Sequence, residues 1–213
     1  MRFYSRFILV VLSAPLGLAA PPSTTANDLG LSADLVTIYS IGGHLVTTRG
    51  HYYRSADGRL REDSELGALI MDMSKSTLTA LSFERREAVV FAIPGEGTRS
   101  AEVTSRLTMP LGHDMHDGRP VTKSLIRMAA GVRQENWMAD AIGVVVRSKL
   151  ETSTTTTTRE LKNISRTEPN DALFEIPPGF SVRREVLPAT SSTEGWSGQL
   201  PGLVSSPPPR SRP

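Results

Sequence analysis

The chain contains no cysteine. It can form no disulfide, can offer no thiol nucleophile, and has no residue for lipid attachment behind an export signal. Burial and hydrogen bonding must hold it together. Aromatic residues make up only 6 % of the 213 residues, so each large ring counts as a core or binding candidate. No concentrated basic stripe is present. The formal charge is +2, and Arg2 and Arg6 account for it, so phosphate-backbone binding and nucleic-acid partners are not expected. After the first twenty residues no run is long and apolar enough to span a bilayer as a helix.

Those first twenty residues read as an export signal. Arg2 and Arg6 form a basic start, Phe7 to Leu18 is an apolar stretch, and Gly17-Leu18-Ala19 supplies small residues for cleavage after Ala19. A membrane anchor is the competing reading, because both need an apolar segment. Residues 20–32 are polar and rich in Pro, Ser, Thr and Asn, and are expected to be a disordered lead-in. Residues 188–213 are rich in Pro, Ser and Gly, with Trp196 as the one large apolar side chain, and read as a flexible tail or a partner-binding thread. The folded unit is expected over 33–187. The implied location is periplasmic or secreted.

Within that unit, β-branched and aromatic segments are separated by turn residues at short intervals, which predicts an antiparallel meander. Strands are expected near 35–41, 45–48, 51–55, 59–62, 69–73, 77–84 and 88–93. After a loop, further strands are expected near 109–115, 119–128, 132–139, 142–152 and 155–167. Asp57-Gly58 and Asp117-Gly118 are tight-hairpin dipeptides, since a two-residue turn needs φ > 0 at both centres. Gly42-Gly43 and Pro94-Gly95 also interrupt the pattern. The run Thr154 to Thr158 has strand propensity and reads as an exposed hairpin end and edge. Helix is scarce: two turns at 100–107 and one at 168–174. A large sheet with few helices has to curl over itself to cover a face, giving a mainly β, strongly curved antiparallel half-barrel.

Leu111-Gly112, then Asp117-Gly118-Arg119-Pro120, then Glu135 through Val146, then Glu168 through Phe180 with its Phe-Glu-Ile-Pro-Pro-Gly-Phe ending, form an ordered set of signals. Together with Tyr52-Tyr53-Arg54 and Arg59 to Asp63, they resemble exported bacterial proteins with a lipoprotein-carrier-like half-barrel, the DUF4412-type relatives of LolA, LolB and RseB. The resemblance covers about Leu35 to Phe180. It implies a single curved sheet, periplasmic residence near the outer membrane, and lipid, lipoprotein or envelope-protein partners. It also implies an N-terminal helix and a helical lid, whereas the segment before Leu35 is polar and short. Trp137 offers its ring to the concave face, and Phe174 and Phe180 can pack back as a closing plug; plain core is the alternative for all three.

Enzymatic motifs are missing. There is no serine-nucleophile elbow, no phosphate loop and no Rossmann glycine fingerprint, so no catalytic residue, cofactor or enzyme activity is expected. Glu84, Arg85, Arg86 and Glu87 read as a solvated turn. Asn163-Ile164-Ser165 fits a glycosylation acceptor, but it sits in a strand and is set aside. His113-x-x-His116 with Asp114 and Asp117 is the one metal-like cluster. Residues i and i+3 of a strand point to opposite faces, and Asp117 is explained by its turn, so no metal site is expected. Alternation supplies the binding candidates: Leu69, Met71 and Met73; Leu81 and Phe83; Val89 and Phe91; and Trp137. If these share one concavity, the sheet holds an apolar trough for a lipid-like ligand; a filled core is the equal alternative. The second functional reading is an envelope interaction or stress-sensor module working through exposed strand edges.

Overall fold

A computed structural model describes residues 30–65, 67–93, 107–128 and 131–186. The expected signal segment, most of the lead-in, the 100–106 portion of the expected helix, Pro94-Gly95 and the 188–213 tail lie outside them. Twelve strands form one sheet: β1 (Leu31–Ile41), β2 (His44–Arg54), β3 (Leu60–Ser64), β4 (Gly67–Asp72), β5 (Thr77–Ser82), β6 (Glu87–Ala92), β7 (Leu107–His116), β8 (Arg119–Arg127), β9 (Arg133–Ala139), β10 (Val144–Glu151), β11 (Thr155–Ser165) and β12 (Ser181–Val186). The order is β12-β6-β5-β4-β3-β2-β1-β11-β10-β9-β8-β7. Every pairing is antiparallel except β12 with β6. The sheet is open, and the strongly curved half-barrel expected from the alternation is the architecture found.

Two meanders, β1–β6 and β7–β11, join where β1 pairs with β11. Four expectations change here. Residues 45–48 and 51–55 belong to one strand, β2, because Gly50 stays in register between Leu35 and Ser64. The first strand starts at Leu31, inside the expected lead-in, and Leu31 is fully buried. The Thr run is not an edge: Thr155 to Thr158 pair with Ile38 to Ile41 on one side, and Thr156 to Thr158 also pair with β10 on the other. The edges are β7 and β12, and β12 was not anticipated. Two turns differ in kind. Asp117-Gly118 has both centres at φ > 0, as expected of a two-residue hairpin, whereas around Asp57-Gly58 only Gly58 does. There the Ser55 N–H donates to the carbonyl of Arg59, which makes a longer loop.

The alternation BiBiBiB of Leu31, Ala33, Leu35 and Thr37 defines an inner face. The β9–β10 turn folds over that face, where Arg54 of β2 donates to the carbonyls of Ile142 and Gly143. One core lies there: Leu31, Ala33, Leu35, Val121, Ala139, Ile142, Val144, Val146 and Leu161. A row of small side chains, Gly50, Ser64, Gly67 and Ser82, crosses β2 to β5 on the same side. A Cβ on Gly50 would stand 1.8 Å from the carbonyl oxygen of Asp63, and one on Gly67 1.9 Å from that of Leu81. Glycine there lets neighbouring backbones approach as the sheet bends.

The outer face of β3–β6 is closed by a strap after β11. Glu168 accepts from the Ala56 N–H, and Asp171 accepts from Arg59 at 2.6 Å. A single 3-10 turn at Asp171–Phe174, capped by Asn170, matches the expected turn of helix. Phe174 then enters a second core with Ala68, Ile70, Leu81 and Ala88, flanked by Leu173, Ile176 and Phe180. The Arg59 guanidinium lies 4.8 Å from the Phe174 ring, and Arg61, itself buried, donates to the Leu173 carbonyl. Pro177-Pro178 and Gly179 end the strap. Phe180 meets Phe83 edge-on, with ring centroids 6.4 Å apart, and the chain joins β6 as β12.

Candidate functional site

Strand register assigns the inner wall of β3–β6. Leu60, Met71, Leu78 and Phe91 stand in one row, and Glu62, Leu69, Ala80 and Val89 in the next. Leu78 and Val89 are buried, while Leu69, Met71 and Phe91 are half-buried. These rows make a largely apolar patch across four strands. It continues into Arg54 and Tyr52 of β2, the partners of Leu60 and Glu62.

Of the eight expected residues, four converge on this wall: Leu69, Met71, Val89 and Phe91. The other four do not. Leu81 falls between Ala80 and Ser82, so its side chain points to the outer face, where it packs with Phe174. Phe83 follows it out and rests on Phe180. Met73 lies beyond the end of β4, 44 % exposed. Trp137 belongs to the other half of the sheet. Its ring lies 5.3 Å from the Lys123 ammonium and 5.1 Å from the Arg147 guanidinium, and it packs against the first core. The inner face around β1 is filled by the curl of β8–β10, while that of β4–β6 keeps half-buried apolar side chains.

Between the two regions lies a polar group that alternation alone did not single out. Glu62 forms an ion pair with Arg159, whose register partner on β1 is Thr37. Tyr39 and Tyr52 flank the pair. Burial pushes the Tyr52 phenol up to about 12, and the Glu62 carboxylate adds to the shift. Burial likewise raises Tyr39. The signal was present as charges and phenols at inward positions of strands, but partners 97 residues apart are joined only by the β1–β11 pairing.

One exposed margin of the sheet is β7. Met109, Leu111 and Met115 are 36 %, 45 % and 61 % exposed. Pro110 and a bulge before Gly112 interrupt the edge, features that disfavour indiscriminate strand pairing.

This architecture defines a class: an open antiparallel half-barrel with a partly apolar inner wall. No family model and no curated protein sequence matches the chain. Among solved structures it is similar to an uncharacterized conserved protein from Thermus thermophilus, with a TM-score of 0.54 and 10 % identity, over 74 % of this chain and 91 % of that one. That likeness shows a shared fold. Looser similarity extends to the LolA superfamily protein NE2245 of Nitrosomonas europaea (TM-score 0.39, 7 % identity, 70 % and 94 % covered). It also extends to the Pseudomonas aeruginosa MucA/MucB complex (0.44, 12 %, 71 % and 57 %).

Proposed function

We propose that this is a non-enzymatic, exported envelope protein that binds an apolar ligand, a lipid or a lipid-bearing polypeptide against the inner wall of β3–β6. The observation that carries this reading is the registered patch of Leu60, Leu69, Met71, Leu78, Val89 and Phe91 on one inward face. Apolar area left half-open on a concave sheet gains about 25 cal/mol for each Å² that a ligand covers. Met71 in the middle of the patch suits irregular chains, because an unbranched thioether adapts its shape. The adjoining Tyr39, Tyr52, Glu62 and Arg159 group offers hydrogen bonds to a polar end. An amphiphile fits both halves.

The test is uptake of the lipophilic fluorophore 1-N-phenylnaphthylamine by the purified protein. Wild type brightens the dye. Phe91→Ser and Leu69→Ser abolish most of that response with unchanged circular dichroism. Phe83→Ser, on the outer face, leaves it intact. Absence of uptake by folded wild type, or equal loss in Phe83→Ser, would reject the reading.

A second reading rests on β7. An edge strand presenting Met109, Leu111 and Met115 can add a strand from an envelope protein. Crosslinking through Met115→Cys in cells distinguishes it: a discrete protein adduct, in a variant whose dye uptake is normal, favours edge pairing over ligand carriage.

A further inference from the structure

The tip of the β7–β8 hairpin carries side chains that the inner-wall reading does not use. Among the described residues, His116, Asp117 and Glu160 each place one ligand atom within 4.8 Å of the others. His116 ends β7, Asp117 opens the two-residue turn, and Glu160 lies on β11. Two strands, β9 and β10, separate β8 from β11 in the sheet, so the group exists only because the hairpin tip curls back over them.

His116 Nε2 faces Glu160 at ion-pair distance and makes no hydrogen bond. Its side chain is 11 % exposed, and its Nε2 is sealed from solvent. Glu160 Oε1 lies 3.2 Å away, close enough for the two groups to share a cation between them. A buried polar atom without a hydrogen bond is unfavourable, and a bound cation would satisfy it. The second Glu160 oxygen faces Lys162 Nζ at 3.5 Å, which orients the carboxylate and leaves Oε1 turned to His116. An open cleft of about 300 Å³ borders His116 and Asp117, with Arg119, Leu161 and Lys162 among its other walls.

We propose that His116, Asp117 and Glu160 bind a divalent metal ion of the zinc class, with the cleft holding the fourth position. One imidazole nitrogen and two carboxylate oxygens suit a borderline ion. Calcium wants roughly six to eight oxygens, and this group offers too few. Around a tetrahedral zinc, ligand atoms stand about 3.3 Å apart, as follows from metal–ligand distances near 2.0–2.1 Å. The His116–Glu160 separation already meets that spacing. Asp117, exposed on its turn, has only to swing inward. Lys162 plays the part of an outer-sphere partner that fixes a ligating carboxylate. His113 and Asp114, the other half of the sequence cluster, are engaged elsewhere, with Thr122 and Lys123 respectively.

The experiment is competition for Zn²⁺ between the tag-free protein and the chromophoric chelator 4-(2-pyridylazo)resorcinol. Wild type is expected to withhold one equivalent. His116→Ala and Glu160→Gln each weaken retention by at least about tenfold, while His113→Ala matches wild type; Ca²⁺ does not compete. X-ray absorption at the zinc edge of wild type adds a readout that needs no variant to fold, and one imidazole with oxygen neighbours is expected. Zinc not withheld, retention insensitive to both His116→Ala and Glu160→Gln, or two or more imidazoles at the metal would each overturn the proposal. Dye uptake by the inner wall is independent of the metal, so failure of either reading leaves the other standing.

Discussion

The guanidinium of Arg54 donates to the carbonyl oxygen of Gly143 at 3.0 Å, across 89 residues of sequence. Arg54 lies on β2 and Gly143 in the β9–β10 turn, so this bond ties the curl of the second meander to the first. A companion bond reaches the Ile142 carbonyl, also at 3.0 Å. Removing the guanidinium leaves two carbonyls short of a donor in a buried place, and hydrogen bonds to charged groups are worth about 1.5–3 kcal/mol. Arg54→Ala is therefore expected to lower unfolding free energy by about 3 kcal/mol, measured by urea titration. Arg54→Lys recovers only part, because a point-like ammonium cannot span both acceptors.

The curvature itself is testable at Gly67. A methyl group there collides with the Leu81 carbonyl, which belongs to backbone and cannot rotate away. Gly67→Ala should destabilise by about 1–3 kcal/mol or more, the range of overpacking. Gly43→Ala, in an open hairpin turn with nothing near its Cβ, costs less, since only its positive φ is strained. Equal melting temperatures for the two variants would show that close strand approach is unimportant.

Phe174 anchors the strap to the outer face of β3–β6 and is 7 % exposed. Phe174→Ala is expected to cost about 3–5 kcal/mol, as large aromatic truncations in cores do. Loss of the strap also frees β12, so limited proteolysis should cut between Arg166 and Arg183 in the variant sooner than in wild type.

Tyr52 sets an alkaline limit. Its phenol titrates at about 12 in the folded protein because burial opposes the phenolate and Glu62 repels it, against roughly 10 in an unfolded chain. The folded state then keeps its proton where the unfolded state has lost it, and stability falls as pH rises from about 10 through about 12. Tyr52→Phe should remove this fall. Denaturation midpoints at pH 9 and pH 11 measure it, and a pH dependence equal to wild type in Tyr52→Phe would contradict the assignment.

Much of the local structure was readable along the chain. Alternation located most of the strands to within a few residues, and Gly42-Gly43 and Asp117-Gly118 adopt the positive φ that their turns require. The errors have physical causes. Threonine propensity marked residues 154–158 as strand, but nothing local states whether a strand lies at an edge or in the middle. Its neighbour β1 is more than a hundred residues away in the chain. Leu81 and Phe83 were as apolar as Leu69, yet a side chain's face depends on its register with its neighbours and on which side the strap covers. The strand β12, rich in Arg and Glu, lacks an apolar signal, since an edge strand need not bury both faces.

The sequence by itself determined a mainly β chain without disulfides, the period-two order of its strands, its tight turns and the residue types available for binding. Side-chain direction along a strand and backbone freedom at glycine are local properties, so local reading captures them. Tertiary structure alone decided which four of the eight candidates share the inner wall, that Glu62 meets Arg159, and that His116 meets Glu160. Those pairings depend on the closure of β1 onto β11 and on the curl of the sheet, which arise from the burial of two cores and from hydrogen bonds between segments distant in the chain.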